Sequence, residues 1–320
     1  MKQRRTGDLS PTSDAWASRM ASVDDSIDQW RVAPNKTIHL KDFDPRWAGD
    51  PDLPKAERKQ FAENVLSQDV SKLAEAQEQL YAANRWSILI ILQAMDAAGK
   101  DGTIKHVMSG VNPQGCQVFS FKQPSAEELD HNFLWRYAKA VPRRGRIGIF
   151  NRSYFEEVLV VRVHPELVQA ERIPDVKIGD DFWADRFADI NAFERHLTRN
   201  GTVILKFFLH ISKDEQRKRL IKRLKDPKKH WKFSPADIAE RAFWNDYMNA
   251  YEEAISATST KWAPWHIIPA DHKWVSRAMV ARFVTTTIES LDLKLPDVSD
   301  AQRAAIAEAK KQLETKKGGD

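Results

Sequence analysis

The chain has almost none of the residues that build covalently or metal-stabilised folds. Its one cysteine, Cys116, excludes a disulfide framework and a cysteine-based zinc site. The nine histidines show no zinc-binding H-E-x-x-H spacing. No apolar run approaches the roughly 18 residues of a membrane-spanning helix, and the polar N-terminus lacks the apolar segment of a secretory signal. We therefore predict a cytoplasmic protein with no membrane contact.

A large excess of one charge is also missing. The 320 residues carry 50 Lys and Arg against 45 Asp and Glu, a formal net charge of +5. This bias indicates a partner only where the basic residues cluster. A hydrophobic content of 42% supports a sizeable core, in one large domain or two small ones. No internal repeat is present.

The stretch 88–103 is the most informative part of the chain. An unbroken apolar run, typical of a buried parallel strand, ends in a small-residue turn with Asp96 and Lys100, and polar helix-forming sequence follows. Backbone N–H groups of such a turn, with the next helix N-terminus, can bind phosphate. The candidate phosphate-binding residues of this loop are Ala97, Ala98, Gly99, Lys100, Asp101, Gly102 and Thr103.

This loop departs from the usual G-x-x-x-x-G-K-[ST] pattern. Ala94 replaces the first glycine, Asp101 stands where the metal-binding hydroxyl belongs, and Thr103 comes two positions later. An ordinary strand-to-helix turn is therefore the alternative interpretation.

Apolar runs and helical periodicity alternate along the rest of the chain. Strands are predicted at 88–92, 117–121, 147–150, 202–211 and 265–269. Helices are predicted at 57–84, 100–109, 126–140, 153–163, 182–199, 213–225, 235–258 and 274–291. Such alternation predicts an α/β fold, a five-stranded parallel sheet between two helical layers, with ligands at the carboxyl ends of the strands.

The predicted organisation has three parts. Residues 1–35 form a flexible N-terminal arm, with a short helix around 16–30, residues 36–295 form the catalytic domain, and residues 296–320 form a polar tail with a solvated helix. Residues 213–235 are expected to form a lid over the site, because they contain the densest basic run of the chain. A solvated helix face is the alternative for that run.

The residues after the strands supply the candidate catalytic groups. Asp96 and Lys100 follow the first strand, and Arg152 and Glu157 follow the third. An acid in a phosphate loop indicates a cation between acid and phosphate, so Asp96 and Glu157 are the candidate ligands of Mg²⁺ or Mn²⁺. Arg152 can stabilise phosphoryl charge. The alternative for Arg152 is a surface ion pair with Glu156. The alternative for the acids after the third strand is that they only stabilise the first turn of a helix through its dipole. Further candidate phosphate-binding residues are Arg136, Arg217, Arg219 and Arg223.

Several motifs together resemble the polyphosphate kinase 2 family. They are 94–103 (AMDAAGKDGT), 110–115 (GVNPQG), 150–163 (FNRSYFEEVLVVRV), 206–216 (KFFLHISKDEQ) and 231–233 (WKF). The resemblance runs from about residue 38 to 291, and the N-R-S form with following acids resembles the class III branch.

This resemblance implies a thymidylate-kinase-like P-loop fold with a helical lid. It also implies Mg²⁺-dependent, reversible transfer of the terminal phosphoryl group of inorganic polyphosphate to AMP and ADP, giving ATP, with guanine nucleotides as further substrates. Asp96, Lys100 and Arg152 match the family's loop acid, phosphate lysine and strand-end arginine, and residues 217–223 its lid. A homodimer or homotetramer is implied. The rivals are an ADP-only polyphosphate kinase, an ATP-dependent nucleoside monophosphate kinase and a non-catalytic nucleic-acid binder, the last disfavoured because no nucleic-acid-binding signature is present.

Overall fold

The computed structural model describes residues 29–315 of the chain. Its centre is one sheet of five parallel strands in the order β2-β3-β1-β4-β5. The strands are Ser87–Gln93 (β1), Cys116–Ser120 (β2), Ile147–Asn151 (β3), Thr202–His210 (β4) and Trp265–Pro269 (β5). All seven residues of β1 are buried, because the strand is covered on both faces. The predicted α/β class and five-stranded parallel sheet are confirmed.

Helices connect the strands, as the alternation predicted. The α-helices of the described residues are Lys55–Ala83 (α1), Lys100–Val107 (α2), Ala126–Leu129 (α3), Trp135–Ala138 (α4), Glu156–Val163 (α5), Asp180–Arg199 (α6), Lys213–Leu224 (α7), Pro235–Ala239 (α8), Trp244–Thr258 (α9), Lys273–Glu289 (α10) and Asp300–Thr315 (α11). Short 3₁₀ helices span Leu40–Asp42, Pro113–Gly115, Pro165–Glu171, Pro227–Lys232 and Glu240–Phe243. None of the described helices is long and apolar enough to cross a bilayer.

Two predicted helices are interrupted in the structure. The helix predicted at 126–140 divides into α3 and α4, because the Asn132 side chain accepts the Leu134 N–H at 3.1 Å and starts a new turn. The helix predicted at 235–258 contains the 3₁₀ turn Glu240–Phe243 between α8 and α9. The Glu240 carboxylate in this turn accepts the Tyr247 hydroxyl at 2.6 Å.

A buried polar cluster supports the segment after β3. The Lys206 ammonium on β4 donates to Glu194 on α6 at 2.7 Å, and the Tyr154 hydroxyl donates to the same carboxylate at 2.9 Å. All three side chains are fully buried. Burial raises the pKa of Glu194 and lowers that of Lys206, with each charge opposing the shift of the other. The cluster ties β4, α6 and the residues after β3 into one rigid unit.

The last residues of the predicted arm belong to the core. Trp30 and Val32 are buried, and the Val32 N–H donates to the Trp265 carbonyl at 2.8 Å. The prediction of a flexible arm up to residue 35 is therefore wrong for 29–35, since this segment pairs with β5. Residues 1–28, including most of the helix predicted at 16–30, lie outside the described residues. Helix α11 lies within the predicted tail, and its described side chains are exposed.

Candidate active site

A tight loop joins the end of β1 to α2. The Ala98 N–H donates to the Met95 carbonyl at 3.2 Å, and the Thr103 N–H donates to the Gly99 carbonyl at 2.9 Å. Ala97 has a φ of 61° and Gly99 a φ of 116°, so the backbone turns through left-handed conformations before the helix begins at Lys100. Asp101, Gly102 and Thr103 form the first helical turn. The predicted strand, loop and helix are confirmed, and the loop N–H groups lie beside a helix N-terminus that attracts anions.

Lys100 lies in the loop with only 9% of its surface exposed. Its ammonium donates to the Ala94 carbonyl at 2.8 Å, which holds the side chain back across the loop. Burial lowers the pKa of Lys100, and the nearby Arg152 charge lowers it further, whereas Asp96 opposes both. The lysine is therefore a desolvated cation that an incoming anion would stabilise.

Arg152 and Asp96 meet across the ends of β3 and β1. The Arg152 Nη2 donates to Asp96 Oδ1 at 2.9 Å, and Nη1 lies 3.9 Å from Glu156. The predicted Arg152–Glu156 pair is thus present but longer than the pair with Asp96. Burial opposes the Arg152 charge, yet the Glu156 and Asp96 carboxylates outweigh it and raise the pKa of Arg152. Arg152 has a φ of 66°, which directs its backbone sharply out of the strand.

A cavity of about 570 Å³ opens beside this pair. Its volume lies within the range of small-molecule binding sites. The walls combine apolar side chains, charged groups and two tyrosines. The apolar side chains include Leu129, Leu159, Val160 and Leu167, and the tyrosines are Tyr247 and Tyr251. The charged groups include Asp96, Arg136, Arg152, Glu156 and Glu157, together with Asp237 and Glu240 from the segment after β4.

Glu157 and Arg136 form a buried network at one wall of the cavity. Glu157 Oε1 accepts the Arg136 guanidinium and the Tyr137 hydroxyl, each at 3.2 Å, while Arg186 lies 3.9 Å from Oε2. Burial raises the pKa of Glu157 to about 7, against the lowering effect of Arg136. A metal ion here would face two guanidinium groups, so the predicted metal role of Glu157 does not fit this geometry. Arg136 also donates to the Lys122 carbonyl at 2.7 Å.

Arg219 on α7 clamps the loop instead of facing solvent. Its side chain is 8% exposed, and its donors bind four backbone carbonyls and one carboxylate. These acceptors are Ala98 at 2.6 Å, Ala97 at 3.2 Å, Ala270 at 2.6 Å, Asp271 at 2.9 Å and Glu215 at 2.8 Å. The prediction that Arg219 binds phosphate does not fit these contacts, because its donors already bind protein oxygens. The clamp joins the loop after β1 to the loop after β5.

The other two predicted lid arginines differ from each other. Arg223 donates to Asp237 at 2.7 Å, so it is paired with an acid of the cavity wall. Arg217 is exposed on α7. Of the three, Arg217 is therefore the one whose guanidinium the structure leaves on the surface.

The segment after β4 also contacts the loop through residues that were not among the predicted site residues. Lys232 donates to Asp101 Oδ2 at 3.0 Å, and the Asn151 amide donates to Oδ1 at 2.9 Å. Burial would raise the pKa of Asp101, but these hydrogen bonds outweigh it and lower the pKa. The Gln216 amide donates to the Asp96 carbonyl at 3.1 Å. Lys232 and Gln216 lie within the motifs 231–233 and 206–216, which was the available signal.

Asp96 is the acid best suited to hold a metal ion. Among residues 29–315, no group of three or more His, Cys, Asp or Glu side chains could hold one by itself. Arg152 binds Asp96 Oδ1, and the carboxylate lines the cavity with 31% of its side chain exposed. Mg²⁺ commonly takes one or two carboxylates and fills its shell with water and phosphate oxygens. The donor set fits an ion that arrives with phosphate.

Comparison with known proteins gives a consistent result. The family model described as polyphosphate kinase 2 (PPK2) matches residues 56–296. An ADP-polyphosphate phosphotransferase of Rhodopseudomonas palustris is 50% identical over 286 residues, 89% of this chain and 97% of the relative. An AMP/ADP-polyphosphate phosphotransferase of Meiothermus ruber is 44% identical over 280 residues, 88% and 99% of the two chains.

Solved structures agree with the sequence relatives. The crystal structure of polyphosphate kinase 2 from Arthrobacter aurescens TC1 superposes with a TM-score of 0.77 at 42% identity, covering 87% of this chain and 95% of that one. The family match extends over more than half of the chain and includes the loop and strand ends described above. The two relatives each match nearly the whole chain. The chain therefore belongs to the polyphosphate kinase 2 family.

Proposed function

We propose that this chain transfers the terminal phosphoryl group of inorganic polyphosphate to AMP and to ADP, reversibly and with Mg²⁺, which Mn²⁺ can replace. The observation that carries the proposal is the convergence of Lys100, Asp96 and Arg152 beside a cavity of about 570 Å³. Further support comes from family membership and from a relative named AMP/ADP-polyphosphate phosphotransferase.

The donor binds at the loop in this proposal. The N–H groups at the start of α2 and the Lys100 ammonium neutralise the terminal phosphates, and Arg152 stabilises charge on the transferring group. The bond between the terminal phosphorus and its bridging oxygen breaks, and an acceptor phosphate oxygen forms the new bond. The shortened polyphosphate leaves with the electron pair of the broken bond, so neither oxidant nor covalent enzyme intermediate is needed.

The acceptor nucleotide occupies the cavity. Its apolar wall, with Leu159 and Leu167, suits a base and ribose, while Arg152 and Arg136 suit the phosphate end. Arg136 is held by Glu157 and Tyr137, so the network controls how much positive charge the acceptor phosphate meets. Arg136 and Glu157 are therefore proposed to position the monophosphate rather than the metal.

Asp96 would hold the metal ion together with substrate phosphates. A bound Mg²⁺ would supply positive charge that offsets the negative charge of the phosphates. Without such a cation, the Asp96 carboxylate would repel both phosphates, and Arg152 and Lys100 would oppose this repulsion.

An ADP-only polyphosphate kinase is the second candidate. It is favoured by the Rhodopseudomonas palustris relative, which is 50% identical and is named for ADP alone. An ATP-dependent nucleoside monophosphate kinase is a third, more distant reading of the same loop.

One assay separates the three candidates. Purified chain is incubated with polyphosphate and Mg²⁺, with AMP or ADP supplied singly, and nucleotides are separated by chromatography. Formation of ADP from AMP and of ATP from ADP supports the dual acceptor. Reaction of ADP alone supports the second candidate, and transfer only from ATP to a monophosphate contradicts polyphosphate as donor.

Three wider features belong to the same proposal. The chain acts on guanine as well as adenine nucleotides, assembles as a homodimer or homotetramer, and works in the cytoplasm without binding nucleic acid or membranes. Replacing the adenine nucleotide by GMP or GDP in the assay and measuring mass by light scattering test the first two. Fractionation of the source cells tests the third.

A further inference from the structure

An apolar groove of about 540 Å³ lies away from the candidate active site. Its walls are the segment 47–53, the first turns of α1 and the first turns of α10, and it shares no lining residue with the cavity beside Asp96. The apolar lining includes Trp47, Phe61, Val65, Trp274 and Met279. A groove of this composition between two helices suits the apolar face of a third helix.

The described part of the chain begins at this groove. Gln29 lines the groove, and the Trp30 ring packs edge-on against the groove-lining Trp47, with ring centroids 5.4 Å apart. Consecutive Cα atoms lie about 3.8 Å apart, so residue 28 lies at the mouth of the groove. The segment before Gln29 is therefore tethered there without a linker. Such tethering gives an effective concentration on the order of millimolar, so even a weak intrinsic affinity would fill the groove.

The sequence of this tethered segment carries a narrow apolar stripe. Residues 16–28 are WASRMASVDDSID, and their large apolar residues are Trp16, Met20, Val23 and Ile27. The spacings alternate between four and three residues, which places the four side chains within about 60° of one another on an α-helix. The same spacing continues to Trp30, which is buried against the groove wall. The stripe thus runs along the chain directly to the groove.

Arg58 provides a polar complement in the groove. It lines the groove from α1, and its Nε is covered from solvent yet donates to no acceptor within residues 29–315. A buried donor without an acceptor destabilises the fold. Asp24 and Asp28 lie four residues apart and flank one side of the apolar stripe. A helix in the groove would therefore bring carboxylates to a guanidinium that lacks an acceptor.

We propose that residues 16–28 form an amphipathic helix that docks in the groove of its own chain. Trp16, Met20, Val23 and Ile27 then pack between α1 and α10. They extend the small apolar cluster of Ala62, Val65 and Ala278, which is separate from the main core. The proposal does not depend on phosphoryl transfer, because the groove and the cavity have no residue in common.

Hydrogen–deuterium exchange of the full chain, read by mass spectrometry, tests the docking. The stripe variant is Trp16→Asp, Ile27→Asp. The matched control is Ser18→Asp, Ser22→Asp, which adds the same charge on the opposite face of the helix. Amides of 16–28 should exchange at least about tenfold more slowly in the wild type and the control than in the stripe variant. Peptides from the groove walls, 57–65 and 274–282, should exchange faster in the stripe variant alone.

Phe61→Asp tests the same contact from the groove. Phe61 lines the groove and is only half-buried, so its replacement should leave the main core packed. The variant should release 16–28 as far as the stripe variant does, and combining the two should add little, since both remove one interaction. If Phe61→Asp speeds exchange throughout the chain, it has unfolded the protein, and the stripe and control variants alone decide.

Two results would overturn the docking within one chain. The first is exchange of 16–28 in the wild type at the rate of an unprotected peptide, or equal exchange in the stripe and control variants. The second is protection of 16–28 that rises with protein concentration, which would assign the groove to the segment of a second copy. None of these measurements needs a substrate, so a failure of the proposed function would leave the test unchanged.

Discussion

The substitution Lys100→Met removes the loop charge while keeping side-chain length. At about 4 Å from a phosphate oxygen and an effective dielectric constant near 20, a unit charge contributes on the order of 4 kcal/mol. If that contribution is made in the transition state, kcat/KM falls about 10³-fold. Stability should change far less. The lost hydrogen bond to the Ala94 carbonyl costs about 1 kcal/mol, and removing a buried ammonium whose pKa is lowered offsets this cost.

The assay measures polyphosphate-dependent ATP formation from ADP together with urea unfolding of the same preparations. Lys105→Met is the matched control, since Lys105 is an exposed lysine on the same helix. If kcat/KM of the Lys100→Met variant stays within about tenfold of the wild-type value, Lys100 does not act on phosphate. Unfolding that becomes easier by several kcal/mol would show instead that the lysine is a structural residue, as the Ala94 contact alone would suggest.

Three further substitutions test other parts of the site. Arg219→Ala should lower the free energy of unfolding by about 2 to 4 kcal/mol, because five protein oxygens lose their donor; an unchanged value with weaker polyphosphate binding would restore the phosphate role of Arg219. Asp96→Asn should raise the Mg²⁺ concentration needed for half-maximal rate by about tenfold, and EDTA should abolish wild-type turnover; an unchanged Mg²⁺ titration would remove Asp96 as ligand. Glu157→Gln should slow phosphorylation of AMP more than of ADP, and equal rates for wild type and variant with AMP would contradict its positioning role.

Glu157 also gives the sign of a pH effect. Burial raises its pKa from 4.5 in the unfolded chain to about 7, so the folded state binds more protons between these values. The contribution of this group to stability is therefore present at low pH and falls as pH rises toward 7, by up to about 3 kcal/mol. Unfolding free energies measured from pH 5 to 8 should decline in the wild type relative to Glu157→Gln, and parallel curves would refute the raised pKa.

The basic residues of this fold divide by what surrounds them. Arg219 and Arg186 are buried and bind carbonyl or carboxylate oxygens, so they support the loop and the Glu157 network. Arg277 is partly buried and Lys222 is exposed, so both remain closer to solvent. Proximity in a basic run therefore does not make residues equivalent, because burial forces a cation to find a protein partner.

Local sequence determined the strands and the loop. The apolar run 88–92 is typical of a strand inside a covered parallel sheet, and the small-residue turn 94–99 marks its end. The strands at 147–150 and 265–269 and the long helix at 57–84 were predictable for the same reason, since their patterns depend on neighbours within a few residues. Asp96, Lys100 and Arg152 could be proposed as site residues because each lies in the segment that follows a strand.

Only the tertiary structure decided which partners these side chains have. Arg219 reaches the carbonyl of Ala98, 121 positions away along the chain, and Glu157 meets Arg186, 29 positions away, and no local pattern contains either distance. The same is true of Trp30 and Val32, whose burial depends on pairing with β5. The sequence alone thus determined where phosphate chemistry is proposed. The packing of distant elements determined which charges are paired within the protein, because a buried charge is stable only beside the partner that the whole fold supplies.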